Sequence, residues 1–190
     1  VSDVVIIGGG MGGLAACFAL LRAGIRNLRI LDRAAKDREG PWVTYARMET
    51  LRSPKQLLGP ASGMASLTFR AWYTALHGVA AWDRLDKIPR PVWMDYLIWY
   101  RHVLALPVEN ETNVETIHPD GDLIKLTLSG AGAKDTEILT RRVVLATGRE
   151  GLGSHHIPDF MAGVPKQYWA HSSEDIDFSA LKGKRVVVVA

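Results

Sequence analysis

Residues 4–13, Val-Val-Ile-Ile-Gly-Gly-Gly-Met-Gly-Gly, set a short apolar strand directly before a glycine-rich turn. Gly8, Gly10 and Gly13 fill the G-x-G-x-x-G spacing. In that pattern the first glycine permits the tight turn, the second lets a pyrophosphate approach the backbone, and the third lets helix and strand pack closely. Met11 and Gly12 complete the turn that would cradle the phosphates. From Leu14 to Ala23 the chain continues as a helix, and Gly24 is a natural stop. The first turn of such a helix aims free N–H groups and the positive end of its dipole at an anion.

The context of the glycines raises the pattern above a loose match. Asn27 to Leu31 reads as a second strand ending at Asp32, where a carboxylate can accept from ribose hydroxyls; the usual place for such an acid is about twenty residues past the glycines. A complete βαβ unit results, and it predicts a dinucleotide site. Arg33 admits two readings, a partner for a 2′-phosphate or an ordinary solvated charge.

At 190 residues the chain is long enough for one sizeable core, and 47% hydrophobic with 23% charged residues is ordinary for a soluble globular domain. No apolar run approaches the roughly 18 residues of a membrane span, and the first residues lack the basic flank and cleavage site of a signal peptide. The cytoplasm is the default expectation. A net charge of +3, with Lys182, Lys184 and Arg185 as a short basic knot, gives nucleic-acid binding little support. Cys17 is the single cysteine, which excludes an internal disulfide, a C-x-x-C pair and a cysteine-rich zinc site. The six histidines are scattered; His155 and His156 are adjacent, poor geometry for joint ligation, so no metal site is expected.

Past Gly40, residues 41–56 mix large and charged side chains in a loop of the functional kind. Residues 66–85 are helix-like, with Phe69, Trp72, Tyr73 and Leu76 near helical spacing. Pro91 suits the first turn of a further helix running to Leu104, on which Trp93, Tyr96, Leu97, Tyr100 and Leu104 share one face. Such an aromatic stripe reads as core, with ligand stacking as the alternative. From Val114 to Leu139 the period falls to two, predicting strands at 114–118, 123–128 and 136–139 with a turn over His118–Asp122. After Arg141 and Arg142, the run Val143-Val-Leu-Ala-Thr-Gly148 reads as a separate buried strand ending at a glycine.

Together these pieces resemble the FAD-binding domain of two-dinucleotide-domain flavoproteins. The likeness is closest to NADPH-using flavin-dependent monooxygenases, a group that includes N-hydroxylating and Baeyer–Villiger enzymes. Gly8, Gly10, Gly13 and Asp32 match the family's FAD fingerprint, and Ala146, Thr147 and Gly148 match the Ala-Thr-Gly motif that follows its meander. Gly40 and Trp42 sit where this family commonly has Gly-Gly-Thr-Trp, with Glu39 and Pro41 departing from it. Met48, Thr50, Leu51, Arg52 and Gln56 look like the loop beside the flavin ring in the N-hydroxylating branch, which makes Arg52 and Gln56 ring-side candidates. Phe160, Gly163, Trp169, His171 and Ser172 resemble the family's linker fingerprint, with a longer gap between Gly163 and His171.

The resemblance implies an α/β fold: a Rossmann-like parallel sheet with helices and a three-stranded antiparallel meander. It places the FAD-binding domain at 1–150, with a helical insertion about 60–106 and the meander about 114–140. Residues 151–184 would be linker, and 185–190 the first strand of a second, NADPH-binding domain. Because a strand apolar on both faces is built to be covered by helices, the chain is expected to be a fragment of a longer enzyme, inactive alone. FAD is the implied cofactor, with NADPH for the full-length enzyme. The implied reaction is oxygenation of a small-molecule substrate through a flavin C4a-hydroperoxide, with no catalytic residue assigned. A homo-oligomer is compatible with the sequence. An NAD(P)-dependent dehydrogenase is disfavoured by the meander and the Ala-Thr-Gly strand, and a disulfide reductase by the lone Cys17. A catalytically incomplete nucleotide-binding module is the remaining alternative.

Overall fold

The structure, a computed structural model, describes residues 1–148, 151 and 156–189; His155 and Ala190, and the end of the expected first domain at 149–150, lie outside them. The chain divides into two units, Val1–Gly153 and Ser154–Ala190.

The first unit is built on β1 (Ser2–Ile7), whose β-branched run suits a pleated, buried strand. On one side it pairs in parallel with β2 (Leu28–Leu31), which pairs in turn with the two-residue β3 (Val108–Glu109). On the other side lie β4 (Asn113–Asp120), β5 (Leu123–Ser129) and β6 (Glu137–Leu145), giving the sheet order β3-β2-β1-β6-β5-β4. Helix α1 (Met11–Arg22) makes the crossover from β1 to β2 and ends at Gly24, whose φ of +89° only glycine adopts at little cost.

Two expectations about the sheet are corrected. The third meander strand and the strand leading to Ala146 are one element. β6 is antiparallel to β5 over 137–140 and parallel to β1 over 140–145, changing neighbour at the buried Thr140. Arg141 and Arg142 do not break it, because both side chains point to solvent while Arg142 stays in register with Val4. Nor is this strand buried on both faces: Leu145 is 67% exposed. The turn expected over His118–Asp122 shrinks to Gly121 and Asp122, since Asp120 pairs with Leu123 and Gly121 takes a φ of +58°. Pro119 is tolerated because β4 is an edge strand.

The helix expected over 66–85 is interrupted. A single 3-10 turn (Ala65–Leu67) precedes α2 (Phe69–His77), capped by the Thr68 hydroxyl accepting from the Ala71 N–H at 3.2 Å. Gly78, at φ +83°, ends α2 and opens α3 (Val79–Arg84), and Leu76 is exposed rather than part of the apolar face. Helix α4 (Arg90–Val103) starts with Pro91 in its first turn and buries Trp93, Tyr96, Leu97 and Tyr100. Its two buried phenols are satisfied: Tyr96 donates to the Leu67 carbonyl at 2.6 Å and Tyr100 to the Pro60 carbonyl at 2.7 Å.

Strand alternation divides the core. Val4 and Ile6 pack with Leu14, Cys17 and Phe18 of α1 and with the aromatic face of α4. Val5 and Leu31 point the other way, against Leu126, Leu128 and Ile138. Each such side chain contributes about 1.5–3 kcal/mol when fully buried. The resulting frame fixes the carboxyl ends of β1, β2 and β6 side by side.

The second unit contains three 3-10 turns, Asp159–Gly163, Lys166–Tyr168 and Phe178–Leu181, and among its described residues no strand. Residues 185–189 are in no strand here, and Val187 and Val188 are 86% and 84% exposed.

Candidate functional site

The turn after β1 is pinned on both sides: the Gly8 N–H donates to the Leu31 carbonyl, and the Ala146 N–H donates to the Ile7 carbonyl, each at 2.8 Å. Its glycines then divide into two groups. A Cβ on Gly8, at φ +108°, would strike the Ala146 carbonyl oxygen and sit 2.8 Å from its carbon; one on Gly13 would strike the Gly8 carbonyl. These two are required by the fold itself. Gly10 is different, for a Cβ there would meet nothing closer than the Gly40 Cα at 3.6 Å, and one on Gly12 would meet nothing within 4 Å. Space is kept in front of these two that the protein does not fill.

That space lies at the start of α1. Gly10 is the N-cap, no side chain caps the helix, and its first turn carries no acidic residue. The first N–H groups of a helix have no partner within it, and together with the dipole they favour an anion. Among the described residues, the candidate group with a demand for open backbone is thus Gly10 to Gly12, with Met11 38% exposed beside them.

Asp32 closes the adjacent edge. It is buried, and its two carboxylate oxygens accept from the backbone: Oδ2 from the Gly9 N–H at 2.6 Å and Oδ1 from the Ala34 N–H at 2.7 Å. Asp32 therefore holds the glycine turn to the end of β2, a role the sequence reading did not give it. Each oxygen retains a lone pair for a further donor. Gly9, also missed, is needed where it stands, because a Cβ there would lie 2.8 Å from the Val108 side chain. Its signal was present in the unbroken run Gly8-Gly9-Gly10.

A narrow crevice beside the turn is lined by Gly9, Gly10, Asp37, Glu39, Leu97 and Arg101, among others. Glu39 is buried and ion-paired with Arg101 at 2.6 Å; it also accepts from the Asn110 side chain, while Arg101 donates to the Asn110 Oδ1 at 3.0 Å and the Val108 carbonyl at 3.2 Å. This network ties the segment after β2 to α4 and β3. Glu39, one of the two residues that depart from the family's Gly-Gly-Thr-Trp pattern, is thus a structural anchor. Asp37 Oδ1 is buried and, among the described residues, has no hydrogen-bond partner.

The other expected site residues fall in several places. Gly40, at φ +76°, abuts Gly10, and Trp42 lies beside it, packed edge-on against Trp93 at 6.1 Å between ring centroids. Ala146 and Thr147 flank Gly8, and Gly148, at φ +67°, has open space in front of it. Arg33 is exposed after β2. Arg52 and Gln56 are exposed and do not line the crevice, so the structure does not bring them to the glycine turn. Among the described residues no group of three His, Cys, Asp or Glu could hold a metal, and no helix is long and apolar enough to cross a membrane. Burial pushes the Cys17 thiol up to about 11, so it is a quiet core group rather than a nucleophile.

An uncapped helix start, backbone left open at Gly10 and Gly12, and acceptors at Asp32 and Asp37 fit a diphosphate joined to a hydroxyl-bearing group. The comparisons agree with that geometry. Residues 5–150 match the model of the FAD-NAD(P)-binding family. An FAD-dependent urate hydroxylase of Xanthomonas campestris pv. campestris is 48% identical over 192 residues, covering 100% of this chain and 40% of that protein. The chain thus spans about two fifths of that curated relative's length. Among solved structures, the cadaverine monooxygenase of Erwinia amylovora, bound to FAD, superimposes with a TM-score of 0.71 at 18% identity, over 91% of this chain and 41% of that one. At that identity the likeness shows the fold. A flavin-containing monooxygenase from Stenotrophomonas maltophilia gives a TM-score of 0.56 at 26% identity, over 76% of this chain and 38% of its own. By its glycine turn, its sheet order and the match over most of its length, the chain belongs to the FAD-NAD(P)-binding family.

Proposed function

We propose that this chain is the FAD-holding part of a flavin-dependent monooxygenase that uses NADPH and hydroxylates a small molecule. The observation that carries the reading is the division among the glycines: Gly8 and Gly13 are demanded by the fold, while Gly10 and Gly12 keep space clear at an uncapped helix start. In this reading the pyrophosphate lies against Gly10, Met11, Gly12 and Gly13, and Asp32 and Arg33 lie toward the adenosine ribose. Gly40 and Trp42 border the cradle. The riboflavin half runs toward Ala146, Thr147 and Gly148, with Arg52 and Gln56 as ring-side candidates. The sheet order supports this polarity, because β2 and β6 flank β1 on opposite sides.

Bound FAD supplies the electron transfer from NADPH to dioxygen. This chain's share is to bind the dinucleotide through backbone N–H groups, orient it across the carboxyl ends of the strands, and keep water from the apolar side of the cradle. We place the enzyme in the cytoplasm, and the urate hydroxylase relative makes urate the first compound to test as substrate. The purified chain is expected to bind FAD and turn yellow, and the full-length enzyme to be bleached by NADPH under anaerobic conditions and to consume NADPH faster when its substrate is added. A protein that stays colourless after incubation with FAD, and whose melting temperature FAD does not raise, would refute the proposal.

A further inference from the structure

We infer that Asp37 is the residue that reads the adenosine half of FAD, accepting a hydrogen bond from a ribose hydroxyl or the adenine amino group. The inference rests on the proposed FAD site. Asp37 breaks two rules at once. The Arg38 N–H donates to the Ala35 carbonyl at 3.1 Å, closing a turn in which Asp37 is the third residue at φ +65°, a position that favours glycine. Its Oδ1 is also buried without a hydrogen-bond partner among the described residues. A strained backbone that also leaves a carboxylate oxygen unsatisfied destabilises the fold twice, and such features concentrate at ligand sites.

The surroundings narrow the donor. Asp37 lines the same crevice as Gly9 and Gly10, and it follows β2, on the opposite side of β1 from Ala146. A carboxylate does not accept a pyrophosphate, which is itself anionic. What it accepts is an O–H or N–H, and on this side of the sheet the adenosine half carries them. Asp32 stands nearby, but each of its oxygens already holds a backbone N–H. Between the two acids the work divides: Asp32 fixes the turn and offers the ribose its remaining lone pairs, whereas Asp37 Oδ1, with no partner among the described residues, is given over to the ligand.

The test titrates the apo form of the intact protein with FAD and, separately, with FMN, which lacks adenosine, following flavin fluorescence. Asp37→Gly removes the carboxylate while suiting the positive φ, so the apo variant should melt no lower than wild type. Its dissociation constant for FAD should rise about tenfold to a hundredfold, the scale of a hydrogen bond to a charged acceptor, with FMN affinity unchanged. Asp37→Asn, which tolerates the same φ and keeps an acceptor oxygen, should lose less. FAD affinity that is unchanged in Asp37→Gly, or that falls in parallel with FMN affinity, overturns the inference and leaves the FAD site standing. A wild-type protein that binds no FAD overturns both.

Discussion

Alanine at Gly10 and alanine at Gly8 should have opposite effects, although both add one methyl group to the same turn. At Gly8 the backbone sits at φ +108° and the new Cβ would collide with the Ala146 carbonyl, a backbone group that cannot swing aside. Strain of about 1–3 kcal/mol and overpacking of about 1–3 kcal/mol together give roughly 2–6 kcal/mol. For a chain of this size about 2–4 °C is lost per kcal/mol, so apo Gly8→Ala should melt about 4–24 °C below wild type. Gly10, by contrast, has a φ of −71° that alanine accepts, and its Cβ would make an ordinary contact with Gly40 at 3.6 Å. Its only expected penalty is that of a poor N-cap, at most about 1 kcal/mol, or a fall below about 4 °C. The methyl does, however, stand where the phosphates would approach, and overpacking there of about 1–3 kcal/mol should weaken FAD by about 5- to 150-fold. Scanning fluorimetry of the apo forms and an FAD titration of each read out the two effects. If Gly10→Ala destabilises the apo protein as much as Gly8→Ala, or binds FAD as wild type does, the division of the glycines is wrong.

Other outcomes follow from the same geometry. Asp32→Asn should destabilise the apo protein by about 1–3 kcal/mol in urea, because an amide NH₂ would face the Gly9 or Ala34 N–H; unchanged apo stability would make Asp32 a ligand group alone. Glu39→Ala leaves Arg101 buried without its partner and should cost about 3–5 kcal/mol, whereas a loss under about 1 kcal/mol would show that Asn110 and water suffice. Cys17, raised from 9.0 to about 11 in the fold, stays protonated there while the unfolded thiol ionises. Its contribution to stability is thus complete below about pH 9 and declines as the pH rises toward 11, so the pH slope of stability in that window should flatten in Cys17→Ala. In the native protein at pH 8 the same thiol should resist a disulfide reagent until the chain unfolds.

Much of this site was legible because its determinants are local. The G-x-G-x-x-G spacing, the acid at the end of the second strand, and Pro91 at a helix start each act within a turn or two of chain. The features that were missed depend on distant partners. Glu39 stands in the sequence only as a departure from the Gly-Gly-Thr-Trp segment, and its role emerges when α4 brings Arg101 to it across 62 positions. Arg141 and Arg142 look like a break because charge suggests a loop, yet the strand leaves both faces open to solvent at these two positions and carries them without interruption. Gly78 divides a helix whose apolar spacing is continuous on either side, and only its positive φ marks the break. The second role of Asp32 could not be read from spacing, since the pattern names the acid for its ligand and not for the N–H groups it already holds.

A crystal structure of the protein with FAD would show where the dinucleotide lies. The expected result is pyrophosphate oxygens within hydrogen-bond distance of N–H groups in the first turn of α1, adenosine on the Asp32 and Asp37 side, and riboflavin on the Ala146 side. FAD bound elsewhere, or a glycine turn filled by the protein's own side chains at saturating FAD, would contradict the proposed site.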